Sequence, residues 1–413
     1  MNTSTAKRQR RLIALVTVLG LSVWFSVTAV APSLRADWAI GATAALWLTA
    51  SVQLGFAAGA VMSAVANLAD RMQPQYLLAA SCLGAATCTA VVALVVDGLA
   101  AAIPLRFCTG MLLAGVYPVA MKLTASWSES TDRGRTFGVL LAALTLGSAS
   151  PLLFAGLGPL PWRLVLIVAA AASIAAAVIA ATAIRPGPRH CPDRITWNPR
   201  HAYAIFADRA PRLVSLSYLG HMWELYALWT WLPAFVIGRG RQRDALSALP
   251  TGVIVFATIG LAGAVGCVLG GWASDRFGRR PAAVTALVGS GSCCALSPAF
   301  FVAPTIVLIA FLAIWGAAAV ADSGVFSTTL SETTDQRVIG TALTMQTATG
   351  FLLTVVPIQL LPCVADLVGW RYAFVLLAPG PLLGAIAMSC SQPSEERNVD
   401  VLTTHDATGR PDR

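Results

Sequence analysis

Twelve stretches of membrane length, almost free of charge, follow one another along this 413-residue chain and leave little of it for anything else. They lie near residues 12–34, 40–66, 74–96, 98–126, 134–157 and 161–184, then near 212–238, 248–274, 281–303, 304–330, 338–365 and 370–391. A crossing takes about 20 apolar residues. Inside lipid only helices and closed barrels satisfy every backbone polar group. Long apolar runs without strand-like alternation therefore predict an all-α integral membrane protein of twelve transmembrane helices. Composition agrees, since 11% of the residues are charged against about 25% in soluble domains.

Basic residues resist translocation and mark the cytoplasmic ends of spans. The N-terminus, the even-numbered connections and the tail hold 20 Lys and Arg, the opposite connections six, and Arg106 and Lys122 fall inside the fourth run. Both termini are thus expected in the cytoplasm, with the chain in the cytoplasmic (inner) membrane. The first run is expected to stay as a span rather than be cleaved as a signal peptide, because its apolar stretch is too long. The net charge of +9 lies between apolar runs without interleaved aromatics, which argues against a nucleic-acid partner. Nine cysteines show no zinc-like spacing, so no metal and no cofactor is expected.

The two halves of the chain repeat. Arg11-Leu12, Leu19-Gly20 and Pro32 match Arg212-Leu213, Leu219-Gly220 and Pro233 at offsets of 200 or 201. Asp70-Arg71 answers Asp275-Arg276, and Trp162-Arg163 answers Trp370-Arg371. Six helices separate the copies, so both keep one orientation, as in parallel repeats about an axis along the membrane normal. The expected division is a cytoplasmic N-terminus (1–11), a six-helix half (12–184), a Pro-rich basic cytoplasmic linker (185–211), a second six-helix half (212–391) and a disordered cytoplasmic tail (392–413).

Between the eighth and ninth runs stands Gly270-Gly271-Trp272-Ala273-Ser274-Asp275-Arg276-Phe277-Gly278-Arg279-Arg280. It resembles the G-x-L-A-D-R-x-G-R-R/K signature of the major facilitator superfamily. A glycine four before the aspartate permits close helix approach, and a glycine three after it permits a tight turn. The first-half copy keeps Asp70 and Arg71 but lacks both glycines. Arg106, Gly110 and Ala114 resemble the family's R-x-x-x-G-x-x-x-A pattern of the fourth helix, linked there to proton coupling. The resemblance implies a secondary carrier working by alternating access, with helices one, four, seven and ten lining a central cavity. It also implies a gate built from Gly271, Asp275, Arg276, Gly278, Arg279, Arg280, Asp70 and Arg71.

An arginine inside a span costs at least about 2.5 kcal/mol, so Arg106 should face a cavity or a partner. The alternative is an arginine bonded to backbone carbonyls. In the seventh run Ser217, His221, Glu224, Leu228 and Trp231 share one helix face, with Glu224 about 18 Å deep. A carboxyl at that depth beside an imidazole can take up and release protons, which makes Glu224, His221 and Arg106 the candidates for proton coupling. A static His–Glu hydrogen bond is the alternative. Arg106, His221 and Glu224, with Trp24, Trp223, Tyr226 and Trp231 as stacking aromatics, form the expected substrate site. Asp322 is placed near the cytoplasmic edge, where it caps or pairs.

The expected function is therefore carriage of a small organic anion or zwitterion by a proton-coupled monomer in the bilayer. Proton-antiport efflux of toxic compounds and a non-transporting receptor are the alternatives. No nucleophile–base pair or phosphate-binding loop occurs, which argues against an enzyme.

Overall fold

The computed structural model describes residues 3–66, 68–129, 133–158, 160–189, 208–239, 249–334 and 339–391. The described residues are helical, and ten of their helices are long and apolar enough to cross a membrane. They supply spans two (Ala42–Val65), three (Pro74–Leu94), five (Arg133–Gly156), six (Trp162–Ala183), nine (Arg279–Phe301) and eleven (Ile339–Val368) as single helices. Span four is Leu99–Leu113 with Tyr117–Ser126, and span ten is Thr305–Ala321 with Ser323–Thr333. Span eight passes through a π-helical turn, Phe256–Leu261, and span twelve through a 3-10 turn, Phe374–Leu377.

Two further spans complete the twelve. Span one is broken into Thr3–Leu21, Ser26–Ala29 and Ala31–Asp37. Span seven, Arg209–Gly238, is a single 30-residue helix whose His221 and Glu224 lower its hydropathy. Residues 190–207 of the inter-half linker and the whole C-terminal tail lie outside the described residues.

Packing repeats with the sequence. Span one lies on five and six as seven lies on eleven and twelve; two lies on four as eight lies on ten; three lies on four and six as nine lies on ten and twelve. The halves meet through spans two and eleven and through spans five and eight. Lipid tails provide no hydrophobic drive for helix association, so these seams depend on close backbone approach. A Cβ at Gly55 would stand 2.0 Å from the Phe107 carbonyl oxygen, and one at Gly110 2.0 Å from that of Val52. Gly266 and Gly270 press equally hard on Ala317 and Ala321.

One end of the bundle carries the N-terminus and the 270–280 turn, and is called here the basic end. At the other end Arg163 bridges Asp37 at 3.2 Å and Asp97 at 2.8 Å, while the Trp162 indole donates to Asp37 at 3.0 Å. The charged groups are solvent-exposed while Trp162 is buried, so the ion pairs fix geometry more than they stabilise.

Candidate functional site

Arg106 sits one turn before Gly110, whose missing side chain lets span four lie against span two. Its side chain has no exposed surface. Nη1 donates to the Val23 carbonyl at 3.1 Å and Nη2 to the Trp24 carbonyl at 2.5 Å. Both carbonyls belong to the break between Leu21 and Ser26, where the helical ladder is interrupted; the Val23 carbonyl also accepts from Ser26 Oγ at 2.9 Å. The arginine thus caps the interruption in span one. Nε has no hydrogen-bond partner, and no carboxylate lies within ion-pair distance of this side chain among the described residues. Of the two sequence readings, the carbonyl-bonded arginine is the one seen.

Glu224, 2% exposed, is held from spans nine and ten. Its Oε1 accepts from Ser290 Oγ at 2.5 Å, Trp315 Nε1 at 2.6 Å and Cys294 Sγ at 3.2 Å. All three donors converge on one oxygen, so a proton on Oε2 is compatible with every bond.

His221 does not pair with Glu224. It turns to span ten, where Nδ1 lies 2.9 Å from Asp322 Oδ1 and Nε2 lies 3.2 Å from Ser323 Oγ. His221 and Glu224 share a helix face, yet three residues of helical rotation aim them at different neighbours. Asp322 is the residue missing from the expected site. It is 1% exposed, at the join of the two helices of span ten. Its sequence signal was an acid inside an otherwise uncharged run.

The aromatics separate into two groups. Trp24 and Tyr226 stack at 5.8 Å across the halves, and both meet Phe351, at 5.7 and 5.1 Å. Phe56 of span two reaches Phe351 of span eleven at 4.1 Å. Beside this cluster Trp24 Nε1 is buried without a hydrogen-bond partner, and so are both polar atoms of the Gln53 amide, one turn from Phe56. Buried polar groups are normally paired. Trp223 and Trp231 lie elsewhere: their indoles donate to the Leu376 carbonyl at 3.2 Å and the Ile358 carbonyl at 2.8 Å, against spans twelve and eleven. They are not brought together with Trp24 and Tyr226.

At the basic end Gly271 packs on the Gly134 backbone, and Asp275 accepts from the Gly134 and Arg135 amides at 3.1 and 2.8 Å. Those amides are unpaired donors at the N-terminus of span five, where the helix dipole favours an anion. Gly278 turns the chain at φ +95°. Arg279 pairs with Glu332 at 2.5 Å, Arg280 bonds the Ser389 carbonyl, and Arg276 lies over the Phe277 ring. In the first-half copy Arg71 is exposed, and the Asp70 side chain lies outside the described residues.

Comparison with known proteins extends this geometry. The family model of the Major Facilitator Superfamily matches residues 12–358 and 254–411. The "Probable sulfoacetate transporter SauU" of Cupriavidus necator is 28% identical over 43% of this chain and 44% of its own length. The "Niacin transporter NiaP" of Acinetobacter baylyi is 24% identical over 64% of this chain and 65% of its own length. The chain thus covers less than two thirds of either relative. Among solved structures, the proton:xylose symporter XylE superposes with a TM-score of 0.75 at 15% identity, covering 95% of this chain and 97% of its own. The human organic anion transporter MFSD10 gives 0.70 at 16% identity, covering 93% of this chain and 99% of its own, which at that identity speaks for the fold alone. With a family model spanning nearly the whole sequence and twelve spans in two parallel repeats, the chain belongs to the major facilitator superfamily.

Proposed function

We propose that the protein is a proton-coupled secondary carrier of a small organic anion. It works by alternating access in the cytoplasmic membrane, with both termini in the cytoplasm. The observation that carries the reading is Arg106: a fully buried cation whose guanidinium, among the described residues, meets two backbone carbonyls and keeps Nε unpartnered. A buried charge is costly unless paired, and a carboxylate or sulfonate is the group that pairs best with the guanidinium fork. Such an anion competes with Val23 and Trp24 for the guanidinium and so reaches the break in span one. The unpartnered Trp24 N–H and Gln53 amide offer further hydrogen bonds to the same ligand, beside the Trp24, Tyr226 and Phe351 rings. Sulfoacetate and niacin, named for the two relatives, are both small organic anions.

Glu224 and His221 supply the proton side of the exchange, each buried on span seven and each held by groups of spans nine or ten. The test uses vesicles holding the purified protein and a trapped pH dye, with carboxylates, sulfonates, sugars and hydrophobic cations added in turn. Anions alone should move protons, with R106K at least about tenfold slower and E224Q silent. Proton movement driven by the cations instead, or R106A behaving as wild type, overturns the reading.

A further inference from the structure

We infer that the outer side of the first helix at the basic end, Lys7, Arg8 and Arg11 with Leu15 beyond them, is a docking site for one anionic phospholipid. The inference does not depend on which solute is carried, since every residue in it lies outside the proposed substrate site.

The helix Thr3–Leu21 begins well ahead of the apolar run that opens at Leu12, and the two sides of that extension differ. Ala6, Gln9 and Ile13 are buried against the bundle. There Gln9 Nε2 donates to the Ala183 carbonyl at 3.1 Å, Gln9 Oε1 accepts from the Arg185 amide at 3.1 Å, and Arg10 donates to Thr136 Oγ1 at 3.1 Å. These contacts fix the extension on spans five and six. Lys7, Arg8 and Arg11 lie on the opposite side and are exposed. No hydrogen bond or ion pair engages them among the described residues. Lys7, Arg11 and Leu15 follow at four-residue steps, so they stand one above another on the helix. Leu15 is 45% exposed, which continues the cationic stripe as an apolar one.

The spacing matches a phospholipid. From Arg11 back to Lys7 the helix rises about 6 Å, and the polar layer on each side of the hydrocarbon is about 5–8 Å thick. All three cations therefore stand at the level of the lipid phosphates, while Leu15, about 6 Å from Arg11 in the other direction, stands among the acyl chains. Residues 1–36 contain no Asp or Glu. The stripe thus offers no partner to the ammonium of a zwitterionic headgroup and favours a net negative one. Near an anionic surface each Lys or Arg strengthens attachment by about fivefold. A lipid held there, together with the contacts to spans five and six, secures the basic end of span one on three sides.

The test gives purified protein in detergent phosphatidylglycerol, phosphatidylcholine or inorganic phosphate, and reads lipid retention by native mass spectrometry beside the unfolding midpoint. Phosphatidylglycerol should be retained and should raise the midpoint. Phosphatidylcholine should be retained at least about tenfold less, and phosphate should leave the midpoint unchanged. K7Q and R11Q should each weaken retention about fivefold, and K7Q, R8Q and R11Q combined about 100-fold. Without lipid these variants should keep the wild-type midpoint, as exposed substitutions do. L15S should weaken retention with every cation in place. R35Q with R209Q, which removes two exposed arginines off the stripe, should retain lipid as wild type does. Undiminished retention by the triple variant, an equal loss in the R35Q and R209Q variant, or a midpoint raised as much by phosphate as by the lipid overturns the inference.

Discussion

Trp315, Ser290 and Cys294 place three donors on one oxygen of Glu224. A hydrogen bond to a neutral carboxyl contributes about 0.5–1.5 kcal/mol. W315F keeps an aromatic side chain but removes the N–H and the five-membered ring from a buried position, so it should lower the unfolding midpoint and slow proton-linked transport several-fold. W231F removes a donor from the Ile358 carbonyl far from that acid, at about 1 kcal/mol for a neutral bond. It should lower the midpoint and leave KM for the transported anion unchanged; a raised KM would return Trp231 to the substrate site. At this scale the sequence was half legible. An arginine, a histidine and two acids in apolar runs identify themselves by type, because lipid tolerates them only with partners. Their partners do not, because a break such as Ser22–Phe25 carries no proline or glycine and yet supplies the carbonyls that Arg106 takes.

Among the elements, the seams between spans two and four and between eight and ten set how near the helices can come. Gly110 leaves no space for a methyl group, whereas Gly98, at the start of the same span, has open space at its Cβ position. Overpacking a tight contact costs about 1–3 kcal/mol. G110A should therefore lower the yield of folded protein in membranes and its unfolding midpoint, while G98A should match wild type. Equal midpoints for the two variants would show that the seam yields freely. Ten of the described helices are long and apolar enough to cross a membrane, and all twelve spans are legible as apolar runs in the sequence. The joints at Asp322 and at Phe256–Leu261 were not, since they arise where one helix must fit several neighbours and not from a local breaking residue.

For the whole molecule, alternating access requires two halves whose contacts can part at one end at a time. Spans five and eight are joined at the basic end by one carboxylate that takes both the Gly134 and Arg135 amides. An amide in its place keeps one acceptor and turns an NH2 group toward the second N–H. D275N should then lose one charge-assisted bond and gain a donor–donor clash, about 1.5–3 kcal/mol in sum. Each 1.4 kcal/mol is tenfold in an equilibrium, so the open form at the basic end should rise by at least about tenfold. Spin labels at Met72 and Phe277, both exposed, would read that as a longer distance. If D275N instead kept the short distance, the Asp275 contact would serve only to position span five.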